Sequence, residues 1–175
     1  MERGYHGTGL KEILDSVHIP KGSFYNYFSS KEEFGAQVIG HYIEPFIQQL
    51  ESHLEQQGNA LSAMRRYFED LIAELERQDF KGGCLLGNLM GEIGDTSELC
   101  RTALQEAVHR YRNLLQRGVE KAQAEGLVRS DKSSALMADL LVDGWQGALL
   151  RMKVERSTAP LKAFCDEILD DYLRG

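Results

Sequence analysis

The side chains of this 175-residue chain that are able to do chemistry gather in two stretches. The first, IPKGSFYNYFSSKEEF at residues 19–34, holds four aromatic rings within five positions, two of them phenols, with Lys21 before them and Lys31 after. Phenol hydroxyls and ammonium groups donate hydrogen bonds to anions. The second stretch, GGCLLGNLMGEIG at residues 82–94, opens on the thiol of Cys84. Free amides at a helix start lower a thiol pKa, which makes Cys84 the most reactive candidate among the three cysteines. The more ordinary reading is a small buried hydrophobe at that position.

The elements around the first stretch decide which of its groups face outward. Thr8 is placed as an N-cap, and Leu10, Ile13, Leu14 and Val17 follow at helical spacing as one apolar stripe. Pro20 disfavours a helical Ile19, so this short helix must end by His18 and a tight turn must follow. The next helix is expected over Lys21 to Phe28. Phe24 and Phe28, four apart, share a face that closes on the stripe. Ser23, Asn26 and Tyr27 then point the other way, with Tyr25 on the flank. Ser30 with Glu33 forms a capping box, and a long helix is expected from there to about Gln57, with Pro45 inside it. Two short helices joined by a tight turn and followed by a long one suggest a helix-turn-helix, whose second helix enters the DNA major groove.

Beyond residue 58 the periodicity stays helical, and no alternating β-branched run marks a strand, so the fold class is all-α. Met64, Tyr67, Phe68, Leu71, Ile72 and Leu75 line one helix; Asp95 with Glu98 opens another that stops at Gly126. From Asp131 to Arg156 the helix is apolar on more than one side, which implies cover on more than one side. The last helix opens at STAPL and presents Leu161, Phe164, Ile168, Leu169 and Tyr172. Gly83, Gly87 and Gly91 recur every four residues, a bare strip suited to close helix packing or to a ligand.

The stretch GTGLKEILDSVHIPKGSFYNYFSSKEEF resembles the DNA-binding motif of TetR-family transcriptional regulators. Every fixed position of the Lys-Gly-Ser-Phe-Tyr-X-Tyr-Phe-X-Ser-Lys-Glu pattern is occupied. The resemblance implies a DNA-binding set of Thr8, Lys21, Gly22, Ser23, Tyr25, Asn26, Tyr27 and Lys31. Lys21, Lys31, Tyr25, Tyr27 and Thr8 would meet phosphates, and Ser23 and Asn26 would read base edges. It also implies residues 1–40 as the DNA-binding domain and 41–175 as a ligand-binding and dimerisation domain, with double-stranded operator DNA, a small-molecule effector and a second copy of the chain as partners. The last two long helices would pair in the homodimer, with Gly144 and Gly147 allowing close approach. The family's DNA-binding domain normally carries another helix before this motif, and only MERGYHG precedes Thr8 in this sequence; an upstream segment absent from this chain and a degenerate domain are the two readings. GGCLLGN resembles a segment of the NemR-like and AcuR-like branch, some of whose members respond to electrophiles. The room left by the glycine strip would place an effector beside Cys84, Asn88, Tyr111 and Trp145.

Composition bounds the remaining possibilities. The net charge of −7 argues against bulk coating of nucleic acid. Residues 1–31, however, carry four cationic and three anionic side chains, so the rest of the chain holds eight net negative charges. A DNA-facing surface therefore belongs at the N-terminal end. No apolar run is long enough to span a bilayer, no signal peptide opens the chain, and three scattered cysteines form neither a disulfide framework nor a zinc motif; the location reads as cytoplasmic. No metal site, cofactor motif, nucleophile elbow, phosphate loop or HExxH is present, so no catalytic residue is assigned, and the His41/Glu44 pair reads as solvated. The sequence thus points to a ligand-responsive transcriptional repressor. A dimeric small-molecule or thiol-sensing module that has lost DNA binding is the alternative.

Overall fold

The structure, a computed structural model, describes residues 4–56, 58–80 and 83–175. Gln57, expected at the end of the third helix, and Gly82 lie outside the described residues. Among those described, the elements are helical throughout: α1 (Leu10–Ser16), α2 (Lys21–Tyr25), α3 (Lys31–Glu55), α4 (Ala60–Arg77), α5 (Leu85–Ile93), α6 (Glu98–Ala124), α7 (Ser134–Glu155) and α8 (Ala159–Phe164). The last passes into a π-helical segment, Cys165–Tyr172. The chain divides into two compact units, Met1–Glu44 with Leu85–Val108, and Pro45–Cys84 with His109–Gly175.

In the first unit α1 is stopped by His18, which takes a left-handed φ of 55°. The amide of Ile19 then donates back to the Leu14 carbonyl at 2.9 Å, closing the helix end. Pro20, extended at ψ 139°, starts α2. The helix is shorter than its sequence suggested, ending at Tyr25, because the amides of Asn26 and Tyr27 bond three residues back, to Ser23 and Phe24, and tighten the last turn. The Phe28 amide still reaches the Phe24 carbonyl at 3.0 Å, so the two rings keep a common face. With Phe34 of α3 they form a three-ring cluster whose centroids lie 5.1–5.6 Å apart.

Two helix starts differ from expectation. Gly9, not Thr8, is the N-cap of α1, and the Thr8 hydroxyl instead donates to the Gly4 carbonyl at 2.6 Å. Ser97 rather than Asp95 caps α6, its Oγ accepting the Cys100 amide at 3.3 Å. The α3 box does form, with Ser30 Oγ accepting the Glu33 amide at 3.0 Å; its carboxylate, however, reaches the Ser29 amide rather than that of Ser30.

In the second unit Asn59 caps α4 by accepting the Ser62 amide at 2.8 Å. That helix buries Tyr67 and Phe68, and the Phe68 ring centroid lies 4.8 Å from that of Trp145 on α7 and 5.2 Å from that of Phe164 on α8. Gly144 makes this possible, since a Cβ there would sit 3.1 Å from the Phe164 ring. Gly147 has nothing within 4 Å. Helix α7 buries Met137, Leu141, Trp145, Leu149 and Met152, yet leaves Leu136, Leu140, Leu150 and Val154 exposed on one face, as its all-round apolar sequence implied. The apolar face of the C-terminal segment is used within the unit, where Leu161, Phe164 and Leu169 are buried. The glycine strip does not run along one helix, because Gly83 precedes α5 in a left-handed conformation at φ +70°.

Phe24 is the buried ring of the N-terminal unit's smallest helix. Phe24→Ala should cost about 3–5 kcal/mol in denaturant unfolding, whereas Ser23→Ala on the same helix should stay within about 0.5 kcal/mol.

Candidate nucleic-acid interface

The inward cluster of Phe24, Phe28 and Phe34 leaves the remaining side chains of residues 21–27 facing out. Tyr27 is 80% exposed and Tyr25 48%, while Lys21, Gly22 and Asn26 are also exposed and Ser23 is half-buried. A Cβ on Gly22 would meet nothing within 4 Å, so the backbone there is open to close approach. The Lys21 ammonium lies 5.7 Å from the centroid of Tyr25, over its ring, which places a cation and two phenol hydroxyls on one short surface. Tyr25 in turn packs edge-on against Phe24 at 5.3 Å, so its ring direction is set by the core. Such a surface can donate hydrogen bonds to an anionic backbone while Ser23 and Asn26 offer both donors and acceptors.

Lys31 and Thr8 stand differently. The Lys31 ammonium donates to the Tyr5 carbonyl at 2.6 Å and lies 4.1 Å from the centroid of the Tyr5 ring. An ammonium has three donors, so this engagement leaves capacity for another acceptor. Thr8 is half-buried with its hydroxyl given to Gly4. The Tyr5 ring packs against Gly35 and the buried Cys100 thiol, and burial pushes its phenol pKa up, with Cys100 and Glu32 adding to the shift. Sequence reasoning missed this anchoring by Tyr5, for which the turn-like GYHG was the available signal.

The residues expected around an effector fall in both compact units. Cys84, Tyr111 and Trp145 belong to the second, Asn88 to the first. Cys84 is half-buried, and its sulfur accepts a hydrogen bond from Gln146 Nε2 at 3.3 Å. Burial drives the Tyr111 phenol well above its ordinary pKa, and the neighbouring Tyr67 hydroxyl and Cys84 thiol push the same way. Trp145 is buried between Phe68 and Phe164. Gln146 carried no pattern that would have marked it, and Tyr67 was marked only as part of an apolar helix face. A separate open depression of about 370 Å³ is lined by Arg65, Glu69, Ile72 and Glu76 of α4 with Lys162 and Cys165. Cys165 is buried and its thiol is pushed up to about 12, chiefly by burial. Among the described residues no group of three or more His, Cys, Asp or Glu side chains is arranged to hold a metal, and no helix is long and apolar enough to cross a membrane.

The thiols are therefore unequal. In native protein an alkylating reagent should modify Cys84 rapidly and leave Cys100 and Cys165 untouched; all three should react in denaturant. Mass spectrometry of tryptic peptides checks this.

Comparison with known proteins follows the same division. Residues 1–38 match the family described as bacterial regulatory proteins, tetR family, and residues 60–168 match the tetracyclin repressor-like C-terminal domain. The HTH-type transcriptional repressor DhaR of Mycobacterium sp. (strain GP1) is 36% identical over 174 residues, covering 99% of this chain and 86% of that protein. The HTH-type transcriptional repressor NemR of Escherichia coli K12 is 31% identical over 163 residues, covering 93% of this chain and 82% of its own length. A regulatory protein TetR from Rhodobacter sphaeroides superposes with a TM-score of 0.87 at 32% identity, covering 97% of this chain and 90% of the other. The chain belongs to the TetR family of bacterial transcriptional regulators.

Proposed function

We propose that this protein is a homodimeric repressor that grips double-stranded operator DNA with α2 and lets go when a small molecule reaches its C-terminal part. The division expected in the sequence, residues 1–40 for DNA and 41–175 for effector and dimer, is retained in this reading. The observation that carries it is the outward face of α2, with Tyr27 at 80% exposure beside Tyr25 and Lys21, in a chain of net charge −7. An acidic protein that presents phenols and an ammonium on a helix-turn-helix is built for local backbone contact rather than for bulk attraction. Tyr25, Tyr27, Lys21 and, by its spare donors, Lys31 meet phosphates, with Gly22 allowing the approach; Ser23 and Asn26 read base edges, and Thr8 acts at the edge of the contact. The two named repressors among its relatives support the sign of regulation.

The dimer rests on α7. Leu136, Leu140, Leu150 and Val154 are 45%, 36%, 54% and 86% exposed along one line of the helix, with the bare Gly147 between them. Burying such a row against its symmetry mate gains about 25 cal/mol per Å². A polar effector group meeting Cys84, Asn88, Tyr111 or Trp145 supplies the release signal, and the half-buried thiol makes an electrophile the leading class. The proposed location is the cytoplasm, where thiols stay reduced.

Mobility-shift titration against the chain's own upstream DNA tests the reading. Tyr25→Phe with Tyr27→Phe should weaken binding about tenfold or more, and Lys21→Ala should lower the salt slope by about one. No retardation at low salt would favour the sensing module without DNA binding. For the release step, N-ethylmaleimide should dissociate the native complex and leave Cys84→Ser bound; equal release from both removes Cys84 as the sensor. Leu150→Asp should convert the dimer to monomer in sedimentation runs.

A further inference from the structure

The turn at residues 4–8 is held from two sides by opposite charges. Gly4 adopts φ +63°, and a Cβ there would lie 2.5 Å from Oε2 of Glu92, the penultimate part of α5's last turn. The Glu92 carboxylate accepts the His6 amide at 2.6 Å, and the Tyr5 amide also bonds to it. His6 Nε2 lies 3.2 Å from the Glu92 carbonyl as well. On the other side the Lys31 ammonium takes the Tyr5 carbonyl, and the Thr8 hydroxyl takes the Gly4 carbonyl. Thr8 leads directly into α1, and Lys31 is the first residue of α3, so this one turn joins the start of α1 to α3 and α5 within the same compact unit. Successive amides converging on a carboxylate form an anion-binding nest, here occupied by the protein's own side chain.

We propose that Glu92 is a positioning residue for operator binding. It touches no DNA; it holds the turn that sets where α1, and through its contact with α2 that helix too, stands relative to α3. This rests on the DNA-binding reading above. Charge alone makes the opposite forecast: deleting a carboxylate from an acidic protein should tighten its hold on a polyanion. The sign of the effect therefore separates positioning from electrostatics. Glutamine keeps an acceptor oxygen for the amides while removing the same charge.

Three variants measured by mobility shift on the specific operator and on unrelated duplex decide the matter. Glu92→Ala should weaken specific binding about tenfold, with non-specific binding equal or tighter, while Glu92→Gln should stay within about threefold of native. Gly4→Ala, which puts a methyl where the carboxylate stands and a side chain on a left-handed φ of +63°, should weaken specific binding in the same direction. Thermal melts and sedimentation of each variant confirm that fold and dimer persist. Glu92→Ala binding as tightly as native, or Glu92→Gln failing like Glu92→Ala, would overturn the proposal while leaving the repressor reading intact. Native protein that ignores its operator would instead overturn both.

Discussion

A helix of five residues cannot stand on its own hydrogen bonds, because nucleating a turn costs more than so few bonds return. What holds α2 is tertiary: Phe24 is buried, and its ring meets Phe28 and Phe34 in a cluster whose members each limit the others' rotation. Burial of one such ring is worth about 1.5–3 kcal/mol, which is large against the stability of a unit this small. The same packing also orients function. Tyr25 lies edge-on to Phe24, so the outward phenol inherits its direction from the inward phenyl. Removing the inner contacts would therefore cost the outer ones their geometry even with every polar group still present.

Charge distribution complements this arrangement. The excess of acid lies beyond residue 31, and the N-terminal stretch is close to neutral, so non-specific attraction to a polyanion is weak. Binding must then come from short-range hydrogen bonds in the correct register, which is the regime in which a protein discriminates one site from many. The Glu92 carboxylate belongs to this logic. A negative charge near a DNA-binding face is tolerable when backbone amides already neutralise it, and those amides hold its pKa below the ordinary carboxylate range.

Much of the fold was legible because its signals are local. Pro20, the Ser30/Glu33 pair and the spacing of Phe24 and Phe28 each determine structure within a few residues, and the structure follows them. The end of α2 was read three residues late because periodicity marks a face and says nothing about where hydrogen bonds tighten. Thr8 looked like a cap, yet its hydroxyl found a nearer carbonyl at Gly4. The roles of Glu92 and Gln146 could not be read at all, since each depends on a partner more than 60 residues away. Likewise the resemblance implied that both of the last two long helices meet a second copy; Leu161 and Leu169 are buried within their own unit, a long-range packing that amphipathic spacing does not reveal, while α7 carries an exposed apolar row.

The most direct test of the central claim is the structure of the dimer bound to a duplex carrying its operator. The account requires α2 in the major groove, the Tyr25 and Tyr27 hydroxyls about 2.5–3.0 Å from phosphate oxygens, and Ser23 or Asn26 against base edges. A complex in which α2 stands clear of the groove, or in which DNA lies on another face while both tyrosines remain in solvent, would contradict it.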